Sequence, residues 1–171
     1  MFLTSNLFAQ TFSDPEFSSR PYFLDADSTL KNLERADAQY EQKLKAMGYG
    51  GMEIYYSVFI LKSDVRFSKN TLPKLIIKVE GNIDPSELFY LSKSAVKTDR
   101  RSFLQGSMDI LFGGKARDVS NSYINLEFKK IRDGIFEIIL PSDIQPGEYA
   151  FIPMGAGAPA FKIKISCFGI D

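Results

Sequence analysis

Apolar residues recur along this chain in short runs, separated by clusters of Gly, Pro, Asn, Asp and Ser. The runs are rich in β-branched and aromatic residues, and that combination predicts strands between turns. Strands are expected over 52–61, 74–80, 88–97, 102–105, 107–112, 123–131, 135–140, 148–153 and 160–168, with a short extended piece near Phe67. Within Arg132-Asp133-Gly134, Asp-Gly is a favoured hairpin turn and joins two of these runs. Ahead of them, Arg20–Leu24 and Thr29–Leu33 flank an Asp- and Ser-rich turn and predict a small hairpin.

The segment 34–47 fits both periods. As a helix it lines up Leu33, Ala36, Tyr40, Leu44 and Met47 ahead of Gly48. As a strand it puts Arg35, Asp37, Gln39, Glu41, Lys43 and Lys45 on one face and Ala36, Ala38, Tyr40, Leu44 and Ala46 on the other. Strand neighbours and outward lysines favour a long edge strand. Gly48-Tyr49-Gly50-Gly51 then forms a joint into the main body.

The most informative stretch is Ile144-Gln145-Pro146-Gly147-Glu148-Tyr149. Pro146 and Gly147 suit a type II turn, and a Tyr opening the next strand is the sequence form of a tyrosine corner, whose hydroxyl bonds back to nearby backbone. Pro146, Gly147 and Tyr149 are therefore assigned a structural role. The expected architecture is all-β, an immunoglobulin-like Greek-key β-sandwich of about seven to nine strands with an N-terminal hairpin extension. Residues 20–171 form one domain, with 20–51 as hairpin and edge segment and 52–171 as sandwich core. No internal repeat or linker divides the chain.

Composition changes this picture mainly by what it lacks. The chain has no His and a formal net charge of zero, so triad and His-based zinc chemistries are excluded and nothing steers it toward nucleic acid. Cys167 is the only thiol; it forms no intrachain disulfide and reads as a small hydrophobe in a strand. No cofactor is implied. No apolar run reaches the length of an integral membrane span.

At the N-terminus, residues 1–10 resemble the tail of a truncated signal peptide, with Leu7 and Ala9 at the cleavage positions and 11–19 as a flexible lead-in. Export is expected, to the periplasm, outer-membrane surface or exterior; a cytoplasmic protein is the alternative if these residues are not a signal remnant.

The Pro21-Tyr22 hairpin leading to Leu33-Glu34-Arg35, the Gly50-Gly51 joint, the 62–67 segment, the Pro146-Gly147-Glu148-Tyr149-Ala150-Phe151 block and the Phe168-Gly169-Ile170-Asp171 ending together resemble a group of uncharacterised predicted secreted proteins of Bacteroidetes-type bacteria. The resemblance implies export and an immunoglobulin-like sandwich. It carries no activity and no site residues.

Candidate chemistry is sparse. Lys62-Ser63-Asp64-Val65-Arg66 reads as a turn with a surface ion pair, because adjacent Lys and Ser in extended chain point apart. Arg100-Arg101 and Lys129-Lys130 read as solvated pairs near hairpin ends. Asp109 with Glu127, or Glu53 with Asp64, are the carboxylate pairs a hydrolase would need. The loop Met154-Gly155-Ala156-Gly157-Ala158-Pro159 is the candidate binding loop, with Met154, Gly155, Gly157 and Pro159 named, since small residues allow close approach. The functional expectation is a non-catalytic binding or structural module for an unknown protein or glycan partner. A carbohydrate-binding module is the alternative, and a carboxylate hydrolase the last choice.

Overall fold

The computed structural model describes residues 12–45, 51–109, 115–117, 119, 122–154 and 161–171. It is all-β and sandwich-like, as the run pattern predicts. The strands are β1 (Tyr22–Leu24), β2 (Leu30–Asn32), β3 (Glu34–Leu44), β4 (Met52–Val58), β5 (Arg66–Phe67), β6 (Lys74–Lys78), β7 (Phe89–Lys93), β8 (Ala95–Val96), β9 (Arg101–Asp109), β10 (Lys115–Arg117), β11 (Tyr123–Ile124), β12 (Glu127–Arg132), β13 (Ile135–Ile139), β14 (Gly147–Pro153) and β15 (Lys162–Ile170). A 3-10 turn over Pro85–Glu87 is capped by the Asp84 side chain.

The smaller sheet runs β12-β13-β6-β1-β2, and the larger runs β10-β9-β4-β3-β15-β14-β7-β11. The larger sheet curls until its pairing path closes. β8 is the continuation of β7 past Ser94, yet it pairs with β9. The circuit β7/β8, β9, β4, β3, β15, β14 and back to β7 is antiparallel throughout.

This curl explains why β14 and β15 read as continuous apolar runs. Tyr149, Phe151, Phe168 and Ile170 face the smaller sheet and pack with Leu75, Ile77 and Ile138. The alternate residues Ala150, Ile152, Ile165 and Cys167 face the inside of the curl with Ala36, Ala38, Tyr56, Val58 and Phe103. Strands buried on both faces lose their polar alternation. On the outer face of the smaller sheet, Phe12 covers Ile76 and Ile135, and Arg132 straps that segment by donating to the Phe12 carbonyl and to Asp14.

The 34–47 ambiguity resolves as strand over Glu34–Leu44, with Ala36 and Ala38 buried. The edge placement is corrected. β3 is interior, pairing β15 over its first half and β4 over its second. Leu44, read as inward, is exposed. As far as Asp109 the predicted strands over 102–105 and 107–112 are one strand, β9, running through Gly106, and 110–112 lie outside the described residues.

Candidate functional site

Alternation along three strands carries charged residues into the curl at one end. Glu34 is in phase with Ala36 and Ala38 on β3, Arg101 with Phe103 on β9, and Glu148 with Ala150 and Ile152 on β14. Arg101 is 0% exposed. It donates from Nη2 and Nη1 to the two Glu34 oxygens at 2.6 and 3.0 Å, and from Nη1 to Glu148 Oε2 at 3.4 Å. Glu148 Oε1 accepts from Arg66 Nη1 at 2.6 Å, and Arg66 in turn grips Asp171 through Nε and Nη2. Two guanidinium groups thus serve three carboxylates from five parts of the chain.

The arginines stay charged despite this setting. Burial opposes the Arg101 charge, but the fork to Glu34 and the nearby Glu148 hold its pKa above the usual value. Arg66 is also raised, chiefly by its bonds to Asp171 and then to Glu148. Gly169 makes the arrangement possible, since a Cβ there would overlap the Arg66 guanidinium, with Cζ only 2.7 Å away.

What the network holds is the loop between β4 and β5. Arg101 Nε donates to the Ile60 carbonyl at 2.9 Å, and the Ser63 N–H donates to Glu148 Oε2 at 2.8 Å. Around the first of these anchors Phe59, Ile60 and Leu61 are 45%, 57% and 42% exposed. Arg100, paired with Asp99 and Glu41, lies 4.3 Å from the Phe59 ring centroid. Three successive large apolar side chains therefore stand in solvent on a backbone pinned from inside the protein.

Two sequence readings are corrected here. Arg101 is not a solvated hairpin cation but the most buried charge described. The 62–66 segment is not held by a surface pair alone: Arg66 grips the exposed Asp171, but Ser63 is buried and Arg66 also reaches the nearly buried Glu148. The signal lay in the strand period, which places each charge in phase with apolar residues.

Of the residues singled out from sequence, Tyr149 is buried and its hydroxyl donates to the Gln145 carbonyl. The hydrogen-bonded turn lies earlier than expected, at Pro141–Ile144. Gly147 opens β14 with φ +154°, and a Cβ there would meet Lys93 Cε at 2.5 Å. Met154 is exposed beside a cleft of about 300 Å³ that also contains Tyr90, Tyr123, Asn125 and Phe128. The Tyr90 and Tyr123 rings lie 4.2 Å apart, and both hydroxyls turn inward to Gln105. Gly155, Gly157 and Pro159 lie outside the described residues.

The two carboxylate pairs named from sequence fall on separate parts of the fold. Glu53 begins β4 and is held by Lys45 and Tyr55, whereas Asp64 lies beyond that strand's far end. Asp109 ends β9 in the larger sheet, and Glu127 begins β12 in the smaller. Among the described residues no three metal-ligating side chains cluster, and no helix is long and apolar enough to cross a membrane. Comparison with protein-family models, curated proteins and solved structures gives no match for this chain.

Proposed function

We propose that this chain is a non-catalytic binding or structural module, exported to the envelope or exterior, that engages a protein partner through the Phe59–Leu61 loop. The observation that carries the reading is the exposed apolar triplet on a loop fixed by buried Arg101 and Glu148. Exposed apolar side chains on a rigid backbone lose little freedom on docking, which favours binding. Export and the immunoglobulin-like class belong to the same proposal, supported by the signal-like first ten residues and the Pro-Gly-Glu-Tyr-Ala-Phe block.

The edge strand β12, at one end of the smaller sheet, does not invite strand addition. It carries Lys129, Lys130 and Arg132, and its register shifts next to Ile131. Cationic side chains and bulges are how edges resist a further strand.

The test is to replace Phe59, Ile60 and Leu61 together with Ser in the native organism, then size the protein in gentle envelope extracts. Wild type should run in a larger assembly and the variant alone, with N-terminal sequencing of the natural protein placing the mature end at Gln10 or Thr11. A wild-type protein that runs alone, or an intact Met1 in the cytosol, would contradict the proposal.

A carbohydrate reading is favoured by the cleft between Tyr90, Tyr123 and Phe128, where inward hydroxyls leave ring faces to the ligand and Asn125 supplies an amide. Oligosaccharide binding by calorimetry, lost in Tyr123→Ala, would favour it.

A further inference from the structure

A second polar constellation lies where the chain bends at Leu33 from the smaller sheet into β3, and it is built almost wholly of donors. Ser19 N–H donates to the Lys78 carbonyl at 2.8 Å and fixes the turn before β1. The Arg20 guanidinium carbon then sits 5.5 Å from the Phe17 ring centroid and 5.7 Å from that of Tyr22. Arg20 Nε is buried with no hydrogen-bond partner.

Facing it from the larger sheet is Arg35, whose Nη1 donates to Ser166 Oγ at 2.9 Å. Neither arginine has a carboxylate partner among the described residues. Asp37, two residues along β3, is taken by Lys162 and Lys164. Tyr22 Oη accepts from the Phe17 N–H, and Ser166 Oγ accepts from Arg35, so both hydroxyls keep a proton to give. Although Arg35 is exposed along β3, partial burial of its guanidinium and then the charge of Arg20 hold its pKa below the usual value.

This is the inverse of the network around Arg101, where carboxylates outnumber cations. Two guanidinium groups without a carboxylate, Arg35 exposed and Arg20 with a buried, orphaned N–H beside two aromatic rings, describe a site awaiting an acceptor. We propose that Arg20, Arg35, Tyr22 and Ser166 form a binding site for an oxyanion of the sulfate or phosphate type, free or carried on an acidic glycan. The guanidinium fork matches such oxygens in geometry as well as charge.

The test uses inorganic sulfate on the full chain labelled with nitrogen-15, with the arginine Nε–Hε signals followed at constant ionic strength against chloride. Saturable shifts are expected at Arg20 and Arg35, while Arg132, already paired with Asp14, stays still. Arg20→Gln and Arg35→Gln should each weaken sulfate binding by about tenfold or more, and the Lys variants by less. The wild-type spectra alone decide the matter if a Gln variant fails to fold. A sulfated disaccharide that binds more tightly than sulfate assigns the oxyanion to a glycan, and equal affinity assigns it to the free ion. Shifts that do not saturate, that chloride reproduces, or that survive in both Gln variants would overturn the proposal.

Discussion

Replacing Arg101 with Met keeps much of the side-chain volume and removes the cation that holds Glu34 and one of the two cations beside Glu148. Glu34 and Glu148 are 13% and 7% exposed as side chains, so neither can regain full hydration. Arg101 also supplies the only described side-chain bond to the Ile60 carbonyl. Removing one partner of a buried ion network costs about 3–5 kcal/mol, far more than the intact network contributes over an apolar core. With a urea slope of about 2 kcal/mol per molar, the unfolding midpoint should fall by roughly 2 M. The chain has no Trp, so far-UV circular dichroism or fluorescence of its 8 Tyr is the readout. Arg101→Met with Glu34→Met should recover at least about half of the loss, because Glu148 keeps Arg66 and the Ser63 N–H. A single-variant loss below about 1 kcal/mol would refute the reasoning, since it would mean that Glu34 reaches water once Arg101 is gone.

Three further outcomes follow from neighbouring contacts. Tyr149→Phe deletes the bond to the Gln145 carbonyl and should cost about 1 kcal/mol in urea unfolding, with no change in slope. Gly169→Ala should cost about 1–3 kcal/mol by pushing Arg66 off Glu148 and Asp171, and much less in an Arg66→Ala background; equal costs in both would show that Arg66 is not the obstacle. Burial pushes the Cys167 thiol up to about 12, so it should resist thiol reagents at pH 8 and react only as the protein unfolds. The linkage sign is that the unfolded thiol ionises first, so stability falls as pH rises from about 8.5 toward the folded value, and Cys167→Ala should show less of that fall.

Most of the fold was legible because strand signals are local. The run pattern, the Asp133-Gly134 hairpin and the Pro-Gly-Glu-Tyr stretch act over a few residues. The interior position of β3 was not legible, because it depends on β15, which begins more than a hundred residues later. A charged outward face looks the same on an edge strand and on an interior strand of a curled sheet. The closure of the larger sheet was hidden for a similar reason: it turns on one residue, Ser94, where β7 gives way to β8. The candidate site was legible only in part. Phe59–Leu61 looked like the end of a strand, since its exposure is set by Arg101 and Glu148 from distant strands. Each charge stood in phase with an apolar face, and that was the available sign.

The most direct measurement is site-specific photo-crosslinking in the native organism, with a photoreactive residue at position 60 and, as a control, at the exposed position 80. The account predicts one discrete protein adduct from position 60 in the envelope fraction and none from position 80. A protein correctly placed in the envelope that crosslinks to nothing from position 60, or equally from both positions, would contradict it.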